Sequence, residues 1–304
     1  MPKPAKPPPK SWDGSIYGLR NIGHGATSLV FAVDDRRVVK VPIPSPFGLQ
    51  AVEQEREIYR RLGRRSNHIV SCYDPDHSSG ILLERCKGSV RDRLREMRQE
   101  DGSIPRESWI QVGRWAYQAA QGLGYIHEHN VIQADVGCHN MLLDRRDNLK
   151  LADFSGSSIE DSDCQALVIY DVRCRLSNVD KPDRASDLFA LGCAMYEMAT
   201  GHLPYHDLPS RQVQRHFFRQ EFPSLDELWS DAPRIAEAID RCWRVRKPRG
   251  LKSAEEVVEV LAKEIRYTES NKVRDECQAE EQPSKTFEVS GDVKVQSLFA
   301  KSES

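Results

Sequence analysis

The hydrophobic period of this chain changes once, and that change constrains the fold more than any other feature. From Tyr17 to Pro42 the short β-type runs "YGLRNIG", "SLVFAV" and "RVVKVP" alternate with turns, and Asp34-Asp35 marks a hairpin between the last two. A helix of roughly Gly48 to Gly63 follows, with Val52, Tyr59 and Leu62 on one face. "HIVSCYD" and "GILLER" read as two more strands. Beyond Arg91 the period is helical. Val112, Ala116, Ala119, Leu123 and Ile126 form one stripe, and Leu188, Leu191, Ala194, Met195 and Met198 form another, closed by Gly201 where a left-handed residue ends a helix. The pattern predicts an α+β fold in two lobes: a small β-rich lobe with one helix (15–86) and a larger, mainly α-helical one (87–267). Small-molecule sites favour such junctions.

Composition narrows the class. Of 304 residues, 39% are apolar and 30% charged, which suits a globular chain with a core. A net charge of −2 supplies no long-range field toward nucleic acid or anionic lipid. No apolar run reaches the roughly 18 residues of a membrane span, so neither nucleic-acid nor membrane binding is expected. The opening "MPKPAKPPPK" lacks the apolar stretch of a secretory signal, and the eight cysteines form no C-x-x-C pair. Reduced thiols in a cytoplasmic or nuclear protein, with no zinc site, are the expectation. The Pro/Lys-rich residues 1–14 and the polar residues 268–304 read as disordered. The short apolar patch Leu298-Phe299-Ala300 leaves open a docking peptide for a partner in that tail.

Within this frame some polar residues are costly unless used. Gly23 and Gly25 lie between two strands, with Ser28 where a third glycine could stand; such a loop lets backbone N–H groups approach phosphates, and a plain hairpin turn is the alternative. Lys40 interrupts an apolar strand, as a paired cation or as an edge lysine reaching outward. Glu55 falls on the inward stripe of the first helix, where a carboxylate needs a cation, and Lys40 lies on the strand just before. Asp135 and Asn140 sit in a loop between a helix and the strand pair "MLLD" and "LKLAD"; a lone Asp and Asn there are otherwise turn formers. Asp153 directly follows an apolar strand and suits Mg²⁺, or else a turn.

The order and spacing of these signals resemble a eukaryotic protein kinase over about residues 17–265. The series is G-x-G-x-x-S-x-V, then V-V-K, E-x-x-I-Y, D-x-x-x-x-N and D-F-S, supported by "SDLFALGCAMYEMATGHLPY" at 186–205 and "RCW" at 241–243. The "DVGCHN" form is similar, more loosely, to a kinase-like branch in filamentous fungi. The resemblance implies a bilobal protein-kinase-like fold that uses ATP and Mg²⁺ to phosphorylate a protein substrate. It places Gly23, Gly25 and Ser28 over the phosphates, Val30 and Val38 above the adenine and Leu142 below it. Leu83 becomes the gatekeeper, and Glu84 and Cys86 offer backbone groups to the adenine edge. Lys40 would bind the α- and β-phosphates, held by Glu55. Asp135 would accept the substrate hydroxyl's proton, Asn140 and Asp153 would hold Mg²⁺, and Asp187 would brace the catalytic loop.

The chain departs from the pattern where H-R-D-L-K-P-x-N reads Gln133-Ala134-Asp135-Val136-Gly137-Cys138-His139-Asn140. Gln133 replaces a packing His but can still hydrogen bond. Ala134 replaces the Arg that pairs with a phosphorylated activation loop. Gly137 removes a Lys that stabilises transferring charge, and His139 is near enough in sequence to compensate in part. Val38 replaces a common Ala and narrows the adenine pocket. A-P-E is missing from "RLSNVDKPDRASD" (175–187), so its ion pair with a late Arg is expected to be absent. An active Ser/Thr kinase, a pseudokinase scaffold and a small-molecule phosphotransferase all fit, the last least because of "SDLFALGCAMYEM". With Ala134 in place, an active enzyme is expected to need no phosphate on the loop bearing Ser157, Ser158, Ser162 and Tyr170.

Overall fold

A computed structural model of the chain describes residues 14–160, 171–177 and 180–263. The expectations for the termini, for the tail patch and for Ser162 and Tyr170 lie outside the described residues. The first part is an antiparallel sheet in the order β1-β2-β3-β5-β4, built from β1 (Arg20–His24), β2 (Ser28–Ala32), β3 (Arg37–Pro42), β4 (Cys72–Asp74) and β5 (Ile81–Glu84). Asp34 makes the β2–β3 turn, its Oδ1 accepting from the N–H groups of Arg36 and Arg37 at 2.8 Å. β3 is therefore a central strand, with Lys40 opposite Val30 on one side and Ile81 on the other. The reading of Lys40 as an edge lysine reaching outward is corrected by this placement.

Helix α1 (Pro46–Leu62) starts where Ser45 Oγ accepts from Gly48 N–H and Pro46 supplies a preset φ. Its inward stripe, Val52, Ile58, Tyr59 and Leu62, is buried and carries Glu55 with it. "HIVSCYD" is not one strand. Only Cys72–Asp74 joins the first sheet, because His68 O and Val70 N–H bond instead to Leu151 of β9 (Leu149–Leu151).

The second part is helical around two short sheets. β6 (Gly88–Ser89) and β8 (Met141–Leu143) pair with each other and β8 pairs with β9, while β7 (Val131–Ile132) pairs with β10 (Ser158–Ile159). Helices α2 (Val90–Met97) and α3 (Trp109–Glu128) precede the β7–β8 loop. α3 buries its predicted stripe from Val112 to Ile126. Helix α4 (Arg184–Thr200) is apolar nearly all round and buried, as such a helix must be. It begins at Asp183, whose side chain accepts from Ser186 N–H, and ends at Gly201 with φ 81°. α5 (Ser210–Phe218), α6 (Asp226–Asp231), α7 (Pro233–Trp243) and a helix at 254–263 complete the described part. This is the α+β, two-part arrangement that the period change predicts.

Gly48 decides how α1 seats on the sheet: a Cβ there would lie 2.4 Å from Ile43 O and 2.9 Å from Thr27 O. Gly48→Ala is expected to cost roughly 1–3 kcal/mol through forced backbone displacement. Gly88→Ala, where a Cβ would meet nothing within 4 Å, is the near-neutral control. Urea denaturation of the two variants checks this.

Candidate active site

Strand β3, helix α1 and the segment after β9 meet at Lys40. Its Nζ lies 2.6 Å from Glu55 Oε2 and 2.7 Å from Asp153 Oδ1. Lys40 and Glu55 are buried, whereas the Asp153 side chain is 45% exposed and so opens on solvent. Glu55 Oε1 also accepts from Phe154 N–H at 3.3 Å, and the buried Phe154 ring stands edge-on to Tyr59 at 5.3 Å. One carboxylate thus ties the sheet lysine to the segment that carries Asp153.

Two carboxylates against one ammonium leave this cluster formally negative. Burial alone would lower the Lys40 pKa, but Asp153 and Glu55 outweigh it and hold the ammonium charged well above its usual range. Burial also pushes the Asp153 carboxyl up, yet Lys40 and the Ser155 hydroxyl bring it down to about 2. Glu55 is raised, by burial first, with Lys40 pulling against it and Asp153 adding to it. Of the two carboxylates, Asp153 is the one open to solvent, so it is the one a further cation can reach.

The β7–β8 loop is held from below by α4. Asp187, fully buried, accepts from Gln133 N–H at 2.9 Å and Ala134 N–H at 3.0 Å, and its Oδ2 lies 2.9 Å from His127 Nε2. Ala134 has φ 64°, a left-handed conformation that costs an L-residue roughly 1–2 kcal/mol, and Asp187 holds it there. Asp153 is left-handed too, at φ 59°. Gln133 Nε2 donates to the carbonyls of Ala152 (3.0 Å) and Asp153 (3.1 Å), so the amide joins the two segments. At the loop's far end Asn140 Nδ2 donates to Asp135 Oδ2 at 3.0 Å, and His139 Nε2 lies 3.0 Å from the same oxygen. A Cβ at Gly137 would fall 2.7 Å from the His139 ring, so glycine there makes room for that imidazole.

The residues placed around a nucleotide by resemblance are distributed as follows. Gly23, Gly25 and Ser28 border the β1–β2 turn, with Gly25 N–H bonded to Ser28 O. An added Cβ at Gly23 or Gly25 would meet nothing closer than 3.6 Å, so the protein's own packing does not require these glycines. Val30, Val38 and Leu83 lie on the neighbouring strands β2, β3 and β5, while Leu142 lies on β8 in the separate small sheet. Glu84 N–H is committed to Ser71 O, and the Glu84 carboxylate pairs with Lys150 at 2.7 Å. Cys86 is half-buried, its thiol pushed up to about 12 by burial and then by Glu84.

Sequence reasoning missed His127, Lys150 and Ser155. Ser155 Oγ donates to Asp153 Oδ1 at 2.7 Å, a turn that an Asp followed two residues later by Ser could have signalled. His127 and Lys150 act over separations of 60 and 66 residues, beyond any local signal. One expectation changes. Ser157 is not an open phosphate acceptor, since it is buried and donates to Gln133 O. No A-P-E carboxylate stands here; a different pair, Arg246 with Asp183 at 2.5 Å, ties a late arginine to the start of α4.

The donor set fits Mg²⁺. This ion takes one or two protein oxygens and completes its shell with phosphates and water. Asp153 offers a carboxylate at the solvent side, and Asn140, whose amide nitrogen is turned to Asp135, carries its carbonyl oxygen away from it.

The family model described as "Protein kinase domain" matches residues 18–273. Among curated proteins the chain is similar to serine/threonine-protein kinase TAO1-A of Xenopus laevis, 29% identical over 74% of this chain and 23% of the relative. It is likewise similar to TAO2 of Rattus norvegicus, 28% identical over 74% and 19%, and to TAO3 of Gallus gallus, 27% identical over 71% and 25%. The alignments thus take in about a quarter or less of these relatives' length.

Asp187→Ala strands the buried groups that this carboxylate satisfies. It is expected to cost about 3–5 kcal/mol, with Asp187→Asn costing less because one acceptor oxygen remains. Denaturant midpoints of the two variants and the parent check the order.

Proposed function

This chain belongs to the protein kinase family, and we propose that it transfers the γ-phosphate of ATP to a serine or threonine hydroxyl of a protein substrate. The observation that carries this is the Lys40–Glu55–Asp153 cluster: a buried ammonium met by two carboxylates, beside a loop that holds Asp135 and Asn140 together. Buried ion clusters of this kind are often no more stabilising than a well-packed apolar core. A ligand that needs the charges accounts for this one. The curated relatives are named serine/threonine-protein kinases, which supports that acceptor class.

In this reading Lys40 binds the α- and β-phosphates and Glu55 fixes its position. The glycines of the β1–β2 turn leave the backbone bare over the phosphates, and Val30, Val38 and Leu142 enclose the adenine. Leu83 limits the depth of that pocket, and Glu84 and Cys86 present main-chain groups at its edge. Asn140 and Asp153 hold Mg²⁺, which when bound neutralises charge on the phosphates. Asp135 orients the acceptor hydroxyl and takes its proton as the new O–P bond forms and the bond from the γ-phosphorus to the bridging oxygen breaks. His139, against Asp135, sets the direction of that carboxylate. Asp187 and Gln133 keep the loop and the Asp153 segment in register. Among the described residues no helix is long and apolar enough to cross a membrane, and six cysteines are free thiols, consistent with a cytoplasmic or nuclear place of action.

A second reading, a nucleotide-binding scaffold without transfer, has one observation in its favour. Gly137 carries no cation, and the space beside it is taken by an imidazole. Transfer from γ-labelled ATP with Mg²⁺ separates the two. Asp135→Asn is expected to lower the rate by roughly 10²–10⁴ with the fold intact. Equal labelling by parent and variant would favour the scaffold.

A further inference from the structure

Arg91, Arg95 and Arg98 recur along α2 and its end at spacings of four and three, which puts them on one face. Together with Arg173, His202 and His206 they line a cavity of about 330 Å³. Glu197 of α4 is in the same wall and pairs with Arg91 through two hydrogen bonds of 2.6 and 2.9 Å. Arg95 has a surface partner in Asp92 at 3.0 Å. Among the described residues the other two guanidiniums bond mainly to main-chain carbonyls. Arg98 donates to the carbonyl of Gly201, and Arg173 to that of Leu208, with Asp171 as far as 3.9 Å. His202 and His206 stack at 4.1 Å on the same wall. None of these groups serves the nucleotide or the transfer step.

The cavity is tied to the catalytic loop. Arg91 N–H donates to Cys138 O at 3.1 Å, and Cys138 Sγ lies 3.4 Å from Ala194 O, on the helix that carries Glu197. Cys138 is three residues from Asp135, at most about 11 Å of chain. The cavity wall and the loop that bears Asp135 are thus joined through Cys138.

We propose that the cavity recognises a phosphoserine or phosphothreonine side chain of the protein substrate, a few residues from the hydroxyl that receives the new phosphate; this rests on the kinase reading above. Arginine forks match phosphate oxygens two at a time, and clustered arginines are a recurrent means of reading phosphorylated motifs. A phosphate at neutral pH carries a charge of about −1.5 to −2, which answers Arg98 and Arg173 together; a carboxylate answers only one of them.

The test is transfer to a degenerate peptide library with a central Ser/Thr and, at each flanking position in turn, phosphoserine, Ser, Glu or Arg. At one or two positions phosphoserine is expected to raise kcat/KM at least tenfold over Ser, with Glu between and Arg disfavoured. Arg95→Glu, on an exposed side chain, and Arg98→Ala are each expected to bring that ratio down toward one. A second arm measures fluorescence anisotropy of the phosphoserine library and its dephosphorylated twin, with tighter binding of the former expected for the parent and lost in both variants. A ratio near one in the parent, or a ratio unchanged in both variants, overturns the proposal. So does a cavity filled by this chain's own phosphate, which would show no peptide preference and a rate lost on phosphatase treatment. If no peptide is phosphorylated at all, the kinase reading fails, and the binding arm still decides: equal binding of the two libraries overturns the cavity's role.

Discussion

Lys40 sits in the middle of a five-stranded sheet, and its charge has to be met there. A buried ammonium without a partner is expensive enough to lose its proton or undo the strand. Glu55 meets it from α1, which fixes the helix against the sheet; Asp153 meets it from the segment after β9, which fixes the second part of the chain against the first. Much of the site's geometry follows. Phe154 lies under α1 because Glu55 also takes its N–H. Two carboxylates share one ammonium, so the cluster is one cation short, and Asp153 is the member through which a divalent cation would complete the balance.

A second constraint comes from below. Ala134 and Asp153 both hold left-handed backbone conformations that neither residue favours. Asp187 holds the first through Ala134 N–H, and Gln133 links that residue's neighbourhood to the second through the carbonyls of Ala152 and Asp153. The strain is local to the loop that carries Asp135, and its counterweight is a carboxylate on the most buried helix. This is why Gln can stand at position 133. What the loop needs there is a donor that reaches two carbonyls, and the amide supplies it.

The parts of this arrangement legible in the sequence are those with a local signature. The helix stripes of α1, α3 and α4 showed as apolar periods, and Glu55 stood out because a carboxylate on an inward stripe asks for a cation. The division into a β-rich and a helical part followed from the change of period. What stayed hidden depends on distant partners. Residues 68–70 look like a strand of the first sheet, yet they bond to Leu151, and no local pattern names the partner. His127 reads as one more polar residue at the end of α3 until Asp187 is placed beside it. The arginines of α2 carried no signal of their own in the sequence, and their joining with Arg173, His202 and His206 needed the fold.

In the proposed function the Lys40–Glu55–Asp153 cluster is held for nucleotide with Mg²⁺. The most direct measurement of this is the melting temperature of the parent and of Glu55→Gln with ATP, each with Mg²⁺ and with EDTA. A ligand that binds only the folded state raises the midpoint by mass action, by about 2.7 kcal/mol of stabilisation at a hundredfold excess over Kd. A clear rise is expected for the parent with Mg-ATP, a smaller one with EDTA, and little in Glu55→Gln, where Lys40 loses its anchor. No shift in the parent at millimolar Mg-ATP, or equal shifts in parent and variant, would contradict that role of the cluster.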